Sequence, residues 1–208
     1  FLPENNTIEV VLGYGAYFEK NTLLNSLINY DTCFIGLQYM GMAAAGHPYM
    51  GVGRNLAYKK TTFFKHDGFR GLLNERAGDD DLFINKVANR INTSIVCSRN
   101  SVTWSVPETT WRAWLHQKRR HLSVSHHYKR SSKIRLGLEP MTRGLLYALL
   151  IATCFFGSGW AMIIAYGLWW LRLLMQLCII NTSMHHMGGR LFGIEIVAYD
   201  IALPLISL

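Results

Sequence analysis

Residues 144–171 carry no charged side chain, and extended to Ile180 the run contains one charge, Arg172. As a single straight helix, residues 144–180 would measure roughly 55 Å at about 1.5 Å per residue. The hydrocarbon core of a bilayer is only about 30 Å thick. The run must therefore break, and Gly157-Ser158-Gly159 supplies the break. The pattern predicts membrane helices over about 144–156 and 159–180, with a further apolar helix over 191–208. The first limb is short for a span, so it tilts or begins among the headgroups. Trp160, Trp169 and Trp170 suit a membrane interface better than the core hairpin of a soluble protein, which is the alternative reading. Arg172 has two possible dispositions: snorkelling to the interface or facing the bundle interior.

The chain has a formal net charge of +8, and the excess is local. Residues 1–110 hold ten Lys/Arg and ten Asp/Glu, and residues 144–208 hold two of each. Residues 111–143 hold nine Lys/Arg against Glu139 alone, with four of the eight histidines. Such a segment suits nucleic acid, anionic lipid headgroups or a phosphorylated substrate. Its position beside the apolar run favours lipid. By the positive-inside rule residues 1–143 are expected on the cytoplasmic face of an anionic leaflet, and a hairpin returns His185, His186 and Arg190 to that side. Half the residues are hydrophobic and 16% are charged, which excludes a disordered chain. Cys33, Cys97, Cys154 and Cys178 lack the short spacings of a disulfide scaffold. No signal peptide is visible, and a start at Phe1 reads as a fragment without its true N-terminus.

The part before the basic block reads as mixed α/β. A strand is expected at residues 8–12, ending in a turn at Gly13-Tyr14-Gly15, since Phe18 stands where a dinucleotide loop needs its third glycine. Helical spacing covers Leu23 to about Tyr39, and a loop rich in Gly and Ala follows from Gly41 to Gly53. A strand over residues 55–60, a helix over 79–90, a strand over 94–97 and a helix from Pro107-Thr110 to about Leu122 complete the order.

Two constellations carry chemistry. The first is Gly78-Asp79-Asp80-Asp81. Adjacent carboxylates repel one another, so a helix N-terminus, a metal or solvent must offset them. The triplet reads as a solvated helix start, a general base with a raised pKa, or a metal site. The Gly-Asp-Asp hairpin of RNA polymerases needs strands on both sides, whereas Leu82, Val87 and Ala88 suggest a helix. The second constellation is Trp111, Trp114, Gln117, Arg119, Arg120 and His121. The tryptophans share a helical face, and arginine binds phosphate bidentately. The segment could hold lipid headgroups, a substrate phosphate or single-stranded nucleic acid. The histidines, in pairs without a third ligand, do not make a metal site.

Three stretches in order resemble the membrane-bound family-2 glycosyltransferases, the hyaluronan- and cellulose-synthase-like class, in bacterial, Bacteroidetes-type form. Residues 48–58, Pro-Tyr-Met-Gly-Val-Gly-Arg-Asn-Leu-Ala-Tyr, look like the loop leading to the acceptor site. Gly78-Asp79-Asp80 looks like the Thr-Glu-Asp or Gly-Asp-Asp motif. Gln117-Lys118-Arg119-Arg120-His121 looks like Gln-x-x-Arg-Trp on an interfacial helix. Gly137-Leu138-Glu139-Pro140 belongs to the same similarity. The resemblance implies the C-terminal part of a GT-A (Rossmann-like) domain, an α/β fold, followed by an interfacial helix and transmembrane helices. Residues 1–110 would be the acceptor side of the catalytic domain, 111–143 the basic interfacial region, and 144–208 the membrane helices.

The resemblance further implies inverting transfer from a nucleotide-sugar donor to a saccharide or lipid-linked acceptor, with membrane lipids and not nucleic acid as the other partner. The place would be a bacterial inner membrane, crossed several times, with the catalytic part cytoplasmic. Asp80 would match the catalytic base and Asp79 its neighbour. Gln117, Arg119, Arg120 and His121, with Gly53 and Arg54, would match substrate-binding positions. A divalent metal, Mg or Mn, is expected in the full-length enzyme, held mainly by a missing N-terminal half. The acids upstream of Gly78 (Glu4, Glu9, Glu19, Asp31, Asp67 and Glu75) form no Asp-x-Asp motif. The fragment alone is therefore expected neither to bind donor well nor to turn over. His121 stands where the synthases have Trp, which argues against processive synthesis.

Overall fold

The structure, a computed structural model, describes residues 7–70 and 78–207. Glu4, Glu75 and the final residue of the expected 191–208 helix lie outside the described residues. Strand β1 (Val10–Gly13) lies at the centre of a three-stranded sheet, antiparallel to β3 (Leu56–Tyr58) and parallel to β4 (Thr93–Val96). β2 (Gly15–Tyr17) pairs in parallel with β5 (Thr103–Ser105) as a second, two-stranded sheet. Gly13-Tyr14-Gly15 is thus not a reversing turn. The chain steps at Tyr14 from one sheet into the next, and the buried Tyr14 ring packs against Gly36, where a side chain would collide with it.

Helix α1 (Leu23–Ala44) starts at Thr22, whose hydroxyl accepts from the Asn25 N–H at 3.2 Å. It continues past the expected end at Tyr39, through Gly41 to Ala44. Met42, Ala43 and Ala44 are good helix formers, and the stop comes only where Gly46 takes a left-handed φ of 83°. The expected loop from Gly41 is therefore helical in its first turn. α1 buries residues on every side, among them Leu27, Tyr30, Cys33 and Tyr39. Its Tyr39 hydroxyl donates to the Gly13 carbonyl at 2.6 Å, fixing the end of β1. Helix α2 (Lys60–Lys65) follows β3, and α3 (Asp79–Val87) is three residues shorter than expected because Ala88 turns extended.

The basic block is two helices rather than one. α4 (Trp111–Val124) is capped by the Thr110 hydroxyl, which accepts from Ala113 N–H at 3.3 Å. After a short 3-10 turn, α5 (Arg130–Phe156) begins well before residue 144 and runs unbroken past Pro140. Arg130, Lys133, Arg135 and Arg143 thus lie on the helix that becomes the first apolar limb. The hairpin break falls at Gly157-Ser158 as expected, and α6 (Gly159–Met187) continues seven residues beyond the expected 180, to a stop at Gly188 with φ 72°. α7 (Glu195–Ser207) starts later than residue 191, because Asn181 exchanges two 2.8 Å hydrogen bonds with the backbone of Phe192 and holds that stretch as a loop. One core joins the sheets to this bundle, from Leu12, Ile28 and Phe83 through Tyr30 to Met184, Ile196 and Tyr199.

Tyr39→Phe leaves the buried Gly13 carbonyl without its donor. It should lower unfolding stability by about 1–3 kcal/mol, measured by denaturant titration of the detergent-solubilised protein.

Candidate functional site

Gly78 begins α3 in the left-handed region, φ 78°, and a Cβ there would strike the Val124 methyls at the end of α4. Glycine is required on both counts, and the contact seats the acidic turn against the basic helix. Asp79, Asp80 and Asp81 form the first turn of α3, where the helix dipole favours negative charge. A helix, not a strand, follows them, so the polymerase hairpin is excluded.

The three carboxylates meet three environments. Asp79 is exposed. Asp80 is half-buried; its Oδ2 accepts from the Gly53 N–H at 2.5 Å and its Oδ1 from the Asp81 N–H at 3.0 Å. A side chain at Gly53 would collide with that carboxylate. Asp81 is buried. Burial first, then the Asp80 charge, pushes its carboxyl up to about 8, partly offset by a hydrogen bond from Tyr128. Asp81 therefore holds a proton at neutral pH. The raised pKa expected of a general base falls on this residue, one place beyond the expected base.

Gly53–Asn55 is a 3-10 turn that ties the acceptor-like loop to the strands. The Arg54 guanidinium donates to the carbonyls of Ala16 (2.9 Å) and Gly15 (2.8 Å) and lies over the Tyr17 ring at 4.1 Å. Its charge is held by the protein, so it shapes the site more than it offers a free cation. Asn55 Nδ2 donates to Tyr14 O and Ser101 O at 2.8 and 2.6 Å.

α4 presents one face to this turn. Trp114 is buried, Gln117 Nε2 donates to the Tyr17 hydroxyl at 3.4 Å, and Lys118 pairs with both oxygens of buried Asp31 on α1 at 2.8 Å. His121 lies within the electrostatic reach of Asp80. The surrounding protein and the Arg120 cation lower its pKa, and Asp80 opposes them. Arg119 and Arg120 are exposed, and Trp111 is half-exposed with its ring edge-on to Trp114 at 5.9 Å. Arg54 and Gln117 thus meet at Tyr17, Gly53 holds Asp80, and His121 lies within the electrostatic reach of Asp80, Arg54 and Arg120; Asp79, Arg119 and Arg120 are exposed. Tyr17, Asp31, Lys118 and Tyr128 were not singled out from the sequence. A lone acid in the apolar α1 pattern was the one available signal, and it pointed to Asp31.

Among the described residues, no group of three or more His, Cys, Asp or Glu is placed to hold a metal ion. His185 and His186 lie edge-on to each other, exposed, at the end of α6. Arg172 faces inward and does not snorkel: its Nη1 donates to Asp200 at 2.8 Å. α5 and α6 are each long and apolar enough to cross a membrane. No family model matches the chain, and no curated protein matches it.

Two outcomes follow from these contacts. Lys118→Met leaves Asp31 buried without its partner and should cost about 3–5 kcal/mol, whereas the double change with Asp31→Leu should recover most of the loss; denaturant midpoints of the three proteins decide it. Asp81 has a raised folded pKa, so its contribution to stability is full below the ordinary aspartate range and is lost as pH rises towards about 8. Asp81→Asn should flatten the fall in Tm between pH 5 and 8, read by thermal melts across that range.

Proposed function

We propose that the chain is the acceptor-side part of a membrane-attached glycosyltransferase of the inverting, family-2 type, working at the cytoplasmic face of a bacterial inner membrane. The observation that carries this reading is the seat of Asp80. One carboxylate oxygen is fixed by the Gly53 N–H, and His121 near the end of α4 lies within the electrostatic reach of that carboxylate. Asp80 takes the proton from the acceptor hydroxyl while that oxygen bonds to the sugar's anomeric carbon. The bond from that carbon to the diphosphate oxygen breaks on the opposite face. The exposed Arg120 supplies positive charge towards the leaving diphosphate, and Gln117 orients the acceptor beside Tyr17. Arg54 and Lys118 hold the walls. A divalent metal, expected for such an enzyme, would neutralise charge on the diphosphate; among the described residues no group of three or more His, Cys, Asp or Glu is placed to hold it. The acceptor is a saccharide or a lipid-linked sugar. His121 in place of an indole leaves no broad stacking platform at that position, which suits single transfer.

A second reading draws on the outward face of α4, where Arg112, His116, Arg119 and Arg120 are all exposed. It makes the protein a non-catalytic membrane component whose basic helix binds anionic lipid. Asp80→Asn in the full-length protein separates the two. Sugar transfer from a nucleotide-sugar donor should fall by about 10²–10⁴-fold with membrane sedimentation unchanged, and Asp79→Asn should cost far less. Unchanged transfer in the Asp80 variant would sink the catalytic reading.

A further inference from the structure

Between α1, α5 and α6 lies a half-open cavity of about 640 Å³, within the roughly 300–1,000 Å³ of small-molecule sites. Phe34 and Leu37 of α1, Leu146 of α5 and Met175 and Ile179 of α6 make its wall mainly apolar. Met175 and Ile179 also belong to the exposed apolar surface of α6, where they are 56% and 55% exposed. The cavity is thus continuous with a surface that suits acyl chains.

One patch of the wall is polar, and its charges balance. Asp200 of α7 is fully buried; it accepts from Arg172 Nη1 (2.8 Å) and Nη2 (3.1 Å), Arg143 Nη1 (3.4 Å) and the Tyr147 hydroxyl (2.6 Å). Glu139 Oε2 accepts from Arg143 Nη2 at 3.0 Å. Two arginines meet two carboxylates, so the patch has no net charge to offer a ligand. Arg143 is committed to it: its side chain is 10% exposed and lies over the Phe34 ring at 5.5 Å. Arg172 and Glu139 stay open, with side chains 28% and 32% exposed, and both line the cavity. They lie within each other's electrostatic reach. Arg172 gives two of its N–H groups to Asp200, which leaves guanidinium donors over. Glu139 Oε1 accepts no hydrogen bond among the described residues. The other polar side chains of the wall, Gln38, Thr142 and Gln176, each hold a bond within the protein.

The patch is also incomplete. Arg143 Nε and Gln176 Oε1 are buried with no hydrogen-bond partner among the described residues. One is a donor and the other an acceptor, and unpaired groups of this kind cost free energy. The patch is short of both kinds of partner and of neither charge.

These features select among the molecules that a bilayer carries. A phosphate or carboxylate headgroup brings a net charge that nothing in the patch balances, and Glu139 repels it. A zwitterionic headgroup must shed water from two charges. A hydroxyl is donor and acceptor in one group, and it costs far less to desolvate than an ion. We propose that the cavity binds a neutral lipid with a free hydroxyl. The hydroxyl accepts from Arg172 and donates to Glu139, and a hydrocarbon chain lies along Phe34, Leu37 and Ile179. Such a molecule touches α1 and both limbs of the hairpin at once. The inference rests on the reading that α5 and α6 lie in a membrane, and not on sugar transfer.

The test is equilibrium binding of radiolabelled dioleoylglycerol to the chain in dodecylmaltoside micelles, where one molecule should bind per chain. Acetylated dioleoylglycerol, which lacks the hydroxyl proton, should compete about tenfold less well, the loss of one hydrogen bond to a charged group. Anionic dioleoylphosphatidic acid should compete no better than the acetylated lipid. Oleyl alcohol separates two sources of the hydroxyl: tighter competition than dioleoylglycerol assigns a single-chain alcohol, weaker competition a diglyceride. Glu139→Met removes the acceptor while Arg143 keeps Asp200, and it should erase the difference between the free and acetylated lipids. Ile179→Trp leaves the charged patch untouched and should lower the affinity for both by filling the cavity. Equal competition by free and acetylated lipid in the unchanged chain, a preference for phosphatidic acid, or binding that Ile179→Trp does not alter would overturn the inference. Flotation with phosphatidylcholine vesicles is run on the same protein. A chain that floats without these preferences loses the hydroxyl site alone, whereas one that stays at the bottom of the gradient loses the membrane reading as well.

Discussion

A polar residue on a helix buried all round must find its partner inside the protein, and α1 is that helix. Asp31 reaches Lys118 on α4, while Tyr30 accepts from Gln176 on α6 at 2.6 Å and packs its ring against Phe192 and Tyr199. Asn25 ties the helix start to the end of β2 through the Phe18 carbonyl and the Lys20 N–H. Three neighbours are thus positioned from one element. The cost of leaving any of these groups unpaired in a low-dielectric interior exceeds the modest net gain of forming the bond, so the arrangement is selective as well as cohesive. The Lys118–Asp31 pair fixes α4 on α1 in the register that sets Gln117 beside Tyr17 and His121 within reach of Asp80.

Charge repulsion within the acidic triplet is resolved by placement. Asp79 keeps water, Asp80 gains two backbone donors, and Asp81 gives up its charge to burial. A proton on Asp81 removes one negative charge from beside Asp80. Three chemically identical neighbours thus meet three different environments.

The membrane-facing part follows the same rule in another solvent. Apolar limbs are exposed, and charges are gathered into one neutral group where the limbs meet α7. Arg172, the lone charge in the long apolar run, is thereby explained: together with Arg143, Tyr147 and Gln176 it answers the buried Asp200. Pro140 and the basic residues of α5 are accommodated within a continuous helix, so the hairpin is a direct extension of the segment that follows the candidate site.

Much of this was legible in the sequence because it rests on local chemistry. The uncharged run and its Gly-Ser-Gly break, the acidic turn opening α3 and the start of α4 after Thr110 all express helix capping, dipole and hydropathy rules that act within a few residues. Boundaries were less legible: α1 and α6 run on to glycines with positive φ, and β5 and α2 are too short to announce themselves. What the sequence by itself determined is which segments seek apolar surroundings and where positive charge collects. Only the tertiary structure decided which of three identical carboxylates is buried and gives up its charge, that Arg54 is held by backbone carbonyls, and that Arg143 and Arg172 meet on Asp200. Those outcomes depend on contacts between residues far apart in the chain, where burial and partner distance, not residue type, set the energy.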